Sequence, residues 1–189
     1  MRVIAGEMKG RRLAAKPGHD LRPTSNKVKG ALFNILGETV IGARFLDLYA
    51  GSGAIGMEAI SRGAASTVFV ESDPKRKQQI EADLRRGEFL DRIPGKNRSV
   101  PQVWGCTVAA FLDKTGQGRF DVIFVDPPYQ SNEALFLLPL LSGSGLLAPQ
   151  GRIVVEHFHK KAPPERVGSL VKTKQHRYGD TILAFYERE

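Results

Sequence analysis

The first 23 residues show no sustained hydrophobic period; they are basic and broken by Gly6, Gly10, Pro17, Gly18 and Pro23. Val3-Ile4-Ala5 and Arg12-Leu13-Ala14 predict a small hairpin turning at Lys9-Gly10. A helical period then takes over. Val28, Leu32, Ile35 and Leu36 fall at i, i+4, i+7 and i+8, with Thr24 as the expected N-cap and Gly37 as the stop. From Arg44 strand and helix alternate. Residues 45–49 read as a buried strand, 54–62 as a helix ending at Gly63, and 67–71 as a second strand. Asp73-Pro74 is a favourable helix start, Ile80 and Leu84 mark that helix's buried side, and Gly87 its end. Residues 87–100 are expected to be a loop around Pro94-Gly95, and 100–106 a third strand. The apolar run 120–125, broken only by Asp121, predicts a central strand. A helix over 132–141, a strand over 152–156 and an antiparallel pair, 169–177 and 181–186, turning at Gly179-Asp180 complete the chain. Strands separated by helices imply an α/β fold with a mainly parallel sheet covered on both faces. Ligands of such sheets sit beyond the carboxyl ends of the strands.

Length and composition leave this picture intact. With 189 residues, 41% apolar and 25% charged, the chain suits one globular domain with a substantial core. No apolar run approaches the roughly 20 residues of a membrane helix, and Met1 to Gly6 lacks a signal-peptide stretch. A single cysteine, Cys106, excludes an internal disulfide and fits a reducing, cytoplasmic setting. Charge adds more. Lys plus Arg is 28 against 20 acidic residues, a net charge of +8. Residues 1–30 hold Arg2, Lys9, Arg11, Arg12, Lys16, Arg22, Lys27 and Lys29 against only Glu7 and Asp20, six of the eight net charges. Such an arm suits a polyphosphate partner, because each neutralised phosphate releases a counterion. A membrane partner is not expected, since no Trp/Phe-rich amphipathic helix accompanies the charges.

Two motifs carry the chemistry. The first strand runs into Asp47-Leu48-Tyr49-Ala50-Gly51-Ser52-Gly53-Ala54-Ile55-Gly56, a G-x-G-x-x-G between strand and helix. Gly51 and Gly53 let the backbone turn tightly against a ligand. Glu71 follows 20 residues after Gly51 at the next strand's end, where a carboxylate can accept both hydroxyls of a ribose. This constellation fits an adenosine-containing cofactor, whether NAD or S-adenosylmethionine (SAM). The second motif is Asp126-Pro127-Pro128-Tyr129, directly after the apolar strand. Two prolines stiffen the turn and remove two N–H donors, so the stretch offers acceptors. Asp126 Oδ and the Pro127 carbonyl suit the two N–H groups of a planar exocyclic amine, and Tyr129 its stacked ring. Binding both N–H groups localises the nitrogen lone pair and aims it out of the ring plane. A dehydrogenase would account for the glycine loop but not for this turn.

Together the motifs resemble a class I SAM-dependent amino-methyltransferase. The N-terminal text sharpens the likeness. Arg2-Val3-Ile4-Ala5-Gly6, Lys9-Gly10-Arg11-Arg12-Leu13, Leu21-Arg22-Pro23-Thr24, Val28 and Ala31 to Leu36 resemble the bacterial small-subunit rRNA (guanine-N2)-methyltransferases of the RsmD type. The resemblance implies one Rossmann-like domain over residues 1–189, with a mostly parallel seven-stranded sheet, an antiparallel C-terminal strand and a basic extension over 1–23. It implies SAM as cofactor, methylation of guanine N2 in 16S rRNA or a small-subunit particle, and a cytoplasmic monomer. Asp47, Tyr49, Gly51, Ser52, Gly53, Glu71, Ser72, Cys106 and Thr107 would line the SAM site, and Asp126, Pro127, Pro128 and Tyr129 the guanine site. Lys9, Arg11, Arg12, Arg22 and Lys27 would meet RNA, with Arg22 and Thr24 near the entrance. Two departures stand out: Gly105-Cys106-Thr107 replaces the family's usual Gly-Asp-Ala, and Lys29-Gly30 its usual Arg-Glu.

The remaining residues weigh less. His157 and His159 are read as surface or satisfied histidines, and no histidine spacing resembles a metal site. Trp104 is expected in the core, and the tail cations Lys160, Lys161, Arg166, Lys172, Lys174 and Arg177 on a solvated face. The competing functions are adenine-N6 methylation of nucleic acid, which the same tetrapeptide serves, and a non-catalytic RNA-binding assembly factor on this fold.

Overall fold

A computed structural model describes residues 1–14, 25–86, 89, 99–114, 118–128 and 131–189. Arg22, Thr24 and Tyr129, and the expected loop at Pro94-Gly95, lie outside the described residues. Strands β1 (Arg44–Leu48), β2 (Ser66–Val70), β3 (Gln102–Trp104), β4 (Phe120–Val125), β5 (Leu147–Phe158), β6 (Arg166–Val167), β7 (Leu170–Tyr178) and β8 (Thr181–Arg188) form one sheet in the order β3-β2-β1-β4-β5-β8-β7-β6. β1 to β5 pair in parallel, whereas β5–β8, β8–β7 and β7–β6 are antiparallel. The sheet therefore has eight strands, not the expected seven; the addition is two-residue β6, too short to leave a period in the sequence. The third strand is also shorter than expected.

Helices α1 (Asn26–Leu36), α2 (Ala54–Ser61), α3 (Pro74–Arg86), α4 (Val108–Leu112) and α5 (Glu133–Gly143) cover both faces. Ser25 caps α1, its hydroxyl accepting from the Val28 amide at 3.2 Å, so the cap is one residue beyond the expected Thr24. Asp73 caps α3 as its sequence predicts, accepting from the Lys75 amide at 2.8 Å. α4 is a five-residue helix that the hydrophobic period did not predict; the Thr107 hydroxyl opens it. No helix among the described residues is long and apolar enough to cross a membrane.

Period-two alternation sorts the core. Leu46, Leu48, Ile123, Val125, Ile153 and Val155 face α4 and α5. Phe45, Val122, Phe124 and Val154 face α1 and α2 on the other side. A third cluster joins Phe69 of β2 to Met57, Ile60 and Ile80 of α2 and α3. Val3, Met8 and Leu13 of the N-terminal segment cap that cluster.

The N-terminal segment forms the expected hairpin in short form: Arg2 bridges Arg12, the Val3 amide donates to the Arg11 carbonyl at 2.9 Å, the Gly10 amide to the Val3 carbonyl at 3.0 Å and the Leu13 amide to the Met1 carbonyl at 3.0 Å. Side chains of the helices hold it against the sheet domain. Glu58 accepts from the Ile4 amide at 2.8 Å and the Ala5 amide at 3.0 Å, Ser61 Oγ from the Met8 amide at 2.9 Å, and Asp83 from the Ala14 amide at 3.1 Å. Lys29 lies 3.3 Å from Glu58 and donates to the Arg2 carbonyl at 2.7 Å. Lys29 thus forms a buried ion pair with Glu58. Burial lowers the Lys29 pKa while Glu58 opposes that shift. Both groups are fully buried and hydrogen-bonded, so removing one strands the other. Glu58→Ala is expected to destabilise the fold by about 3–5 kcal/mol in urea unfolding. It is also expected to raise amide exchange across residues 3–14; unchanged exchange there would show that Glu58 does not hold the segment.

Candidate active site

The geometry starts from the pairing of β1 with β4. Leu48 lies opposite Val125, so both strands end at one level of the sheet. The Asp126 amide donates back to the Leu48 carbonyl at 3.4 Å. The glycine loop leaves β1 and the Asp-Pro-Pro turn leaves β4 as neighbours, about one strand spacing apart (~4.8 Å). In the strand order this is the switch point between β2-β1 and β4-β5, where such sheets bind ligands.

The glycine loop is built from below. Tyr49 takes a positive φ of 58°, an uncommon state for a bulky residue, and turns the chain out of the strand. Its hydroxyl is hydrogen-bonded to Glu133 at the start of α5; burial first, then this bond, raises its pKa. Asp47 accepts from the Gly56 amide at 2.9 Å and so ties strand to helix. A Cβ at Gly56 would stand 2.2 Å from the Phe69 ring, so the third glycine lets α2 pack against the sheet. Asp47 is 2% exposed, and burial pushes its pKa up to about 8 against the opposing Gly56 bond. It shapes the loop from beneath, so its expected place beside the cofactor becomes a positioning role.

Glu71 closes the loop from β2. One carboxylate oxygen accepts from the Gly51 amide at 2.7 Å and the other from the Asp73 amide at 2.8 Å. An ionised carboxylate accepts about four hydrogen bonds, so capacity remains for two ribose hydroxyls. Among the described residues a Cβ at Gly51 would meet only the Tyr49 carbonyl, at 3.8 Å, so these residues leave the space beside this turn open. Acceptor and open cradle together fit the adenosine part of SAM. Ser52 is half-buried and donates to Met1 Sδ at 3.8 Å, which brings the chain's first residue to the loop. Gly53 serves as N-cap of α2. Ser72 is exposed. Cys106 is half-buried and packs against the core, while the Thr107 hydroxyl accepts from the Ala110 amide. Trp104 is half-buried, edge-on to Phe111 with Lys114 above it, in keeping with the expected core role.

Beyond the Asp-Pro-Pro turn lies a cleft lined by Asp126, Pro127, Pro128, Glu156, His157 and Lys161, with the start of α5 as one wall. Pro127 is buried and Pro128 exposed. Glu156 and His157 end the apolar part of β5, next to β4; Glu156 was not singled out in the sequence, and His157 was read only as a surface or satisfied histidine. Their position past a buried strand at the switch point was the available signal. His157 is 6% exposed, so it is not a surface histidine; its Nδ1 is bonded to the Phe158 carbonyl, but its Nε2 has no partner among the described residues. Lys161 lines the cleft, and Lys172 pairs with Glu165, so the tail cations are not all on a solvated face. The proposed RNA-contacting residues lie elsewhere: Lys9, Arg11 and Arg12 on the N-terminal loop, Lys27 in the first turn of α1. Lys9, Arg12 and Lys27 are exposed and Arg11 is half-buried.

The family model described as conserved hypothetical protein 95 matches residues 1–187. The chain is 39% identical over 188 residues to a Bacillus subtilis protein named putative rRNA methyltransferase YlbH, covering all of this chain and 99% of that one. It is 31% identical over 192 residues to the Escherichia coli K12 ribosomal RNA small subunit methyltransferase D, covering all of this chain and 90% of that one. The solved structure of the putative methyltransferase yhhF from Escherichia coli superposes with a TM-score of 0.82 at 32% identity, over all of this chain and 98% of that one.

Asp47 carries a pH-dependent contribution to stability. Its folded pKa of about 8 lies above its unfolded value, so its protonated form favours folding at low pH. That contribution is lost as pH rises from about 4 to about 8. Relative to Asp47→Asn, the wild type is expected to lose stability across this window in urea titrations. A constant difference between the two would mean that Asp47 ionises in the fold as freely as in the unfolded chain.

Proposed function

The chain belongs to the RsmD-type methyltransferase family described as conserved hypothetical protein 95, and we propose that it transfers a methyl group from SAM to the exocyclic N2 amino group of a guanine in small-subunit (16S) ribosomal RNA. The observation that carries this reading is the adjacency of an adenosine-type loop and an acceptor-rich Asp-Pro-Pro turn on paired strand ends.

SAM supplies an electrophilic methyl group on a sulfonium. The protein supplies position. Glu71 accepts from the ribose hydroxyls while its bond to the Gly51 amide keeps the loop in shape. Asp126 Oδ and the Pro127 carbonyl accept from the two N–H groups of the amine, and Tyr129 stacks on the ring. In that grip the nitrogen lone pair turns out of the ring plane toward the glycine loop. The carboxylate of Asp126 offsets the positive charge that grows on nitrogen and stands where the departing proton leaves. Alignment within about 3–3.5 Å is then the main catalytic requirement. Exposed Lys9, Arg12 and Lys27, with Arg11 and Arg22, contact RNA phosphates, and the chain acts in the cytoplasm as a monomer on a small-subunit particle.

The direct test is transfer of labelled methyl from SAM to small ribosomal subunits of a strain lacking this protein, followed by nucleoside analysis. N2-methylguanosine is the expected product; N6-methyladenosine, or no label, would reject the assignment. Asp126→Ala is expected to lower kcat by about 10²–10³-fold, the scale of losing one preorganised polar contact, with SAM affinity by calorimetry nearly unchanged. Glu71→Ala is expected to weaken SAM binding at least about tenfold, for one or two lost charge-assisted bonds. Unchanged affinity would remove Glu71 from the ribose.

A further inference from the structure

The cleft beside the Asp-Pro-Pro turn contains a buried hydrogen-bonding atom without a partner among the described residues. His157 lies in β5, paired with Ile182 of β8, and the alternation of the strand turns it to the face covered by α5. Its Nδ1 is 2.9 Å from the Phe158 carbonyl. A carbonyl oxygen only accepts, so Nδ1 carries the proton and neutral Nε2 is left with its lone pair. Nε2 is buried and has no hydrogen-bond partner among the described residues. Burial lowers the imidazole pKa, the bond to the Phe158 carbonyl opposes that shift, and the positive charge of Lys172 lowers it further, which favours the neutral ring. A buried acceptor left unpaired is uncommon and is destabilising until a donor reaches it. The ring lines the same cleft as Asp126 and Pro127.

Resting on the guanine-N2 reading above, we propose that His157 Nε2 selects guanine by accepting the N1–H of the target base. The Watson–Crick edge of guanine presents its N2 amine and N1–H side by side, a row of donors. The lining of the cleft answers with acceptors: the Asp126 carboxylate and Pro127 carbonyl for the amine, and His157 Nε2 beside them. Adenine presents a lone pair at N1, which would face the lone pair of Nε2. A site whose polar atoms are satisfied by one base and left repelling in another discriminates far better than an apolar pocket. Glu156 and Lys161 are the other charged groups of the cleft, and Lys172 faces the imidazole from β7. The sequence signal was weak, because a lone histidine at a strand end is ordinarily a satisfied one.

The test uses the substrate RNA with either guanosine or 2-aminopurine riboside at the methylated position. 2-Aminopurine keeps the N2 amine but has a lone pair at N1. Wild-type kcat/KM is expected to favour guanosine by about tenfold or more. His157→Phe is expected to reduce the guanosine value to near that of 2-aminopurine, with SAM affinity and melting temperature retained. His157→Asn, whose amide oxygen can accept, is expected to restore part of the preference. Equal use of the two bases by the wild type would overturn the proposal without any variant. So would a folded His157→Phe protein with the wild-type ratio. A wild type that methylates no guanine N2 would instead overturn the function on which the proposal rests, which the nucleoside analysis detects separately.

Discussion

The in-register parallel pairing of β1 and β4 is the constraint on which the rest depends. Leu48 opposite Val125 brings two unrelated pieces of chain, about 75 residues apart in sequence, to the same sheet edge at the same height. A slip of one residue would turn each strand's buried side chains to the wrong face. The clusters beneath α1 and α5 therefore hold the register, and the register holds the site. The core on either side of β1 and β4 serves function through this geometry without touching any ligand.

Carboxyl groups are buried where they fix irregular backbone to regular elements. Asp47 ties the glycine loop to α2, Glu71 ties it to β2 and α3, and Glu58 ties the N-terminal segment to α2. Each accepts from backbone amides, which offsets the cost of removing the carboxyl group from water. The N-terminal segment ends up beside the cofactor loop, with Met1 against Ser52. The basic arm is thereby joined to the catalytic sheet, which accounts for a cationic extension whose backbone is anchored while Arg2, Lys9 and Arg12 remain exposed.

Much of this was legible in the residue order. Alternating apolar runs and helical periods gave the parallel half of the sheet, because β1, β2, β4 and the second half of β5 are buried on both faces. The two motifs stood out because glycine and proline have few other reasons to occur at those spacings. What escaped was set by tertiary contact. A five-residue helix spans barely more than one turn, and a two-residue strand has no period at all. Asp47 read as a ligand group because nothing local reveals that Gly56 would claim it. His157 read as an ordinary histidine because its isolation follows from β8, α5 and the turn after β4 converging on it.

The most direct test of the account is a crystal structure with a bisubstrate analogue in which the SAM sulfur position is linked to guanine N2. The ribose hydroxyls are expected on Glu71, the linked nitrogen between Asp126 Oδ and the Pro127 carbonyl, and the linker across the gap between the ends of β1 and β4. An analogue bound with its adenosine away from Glu71, or its guanine outside the cleft beside Asp126, would contradict it.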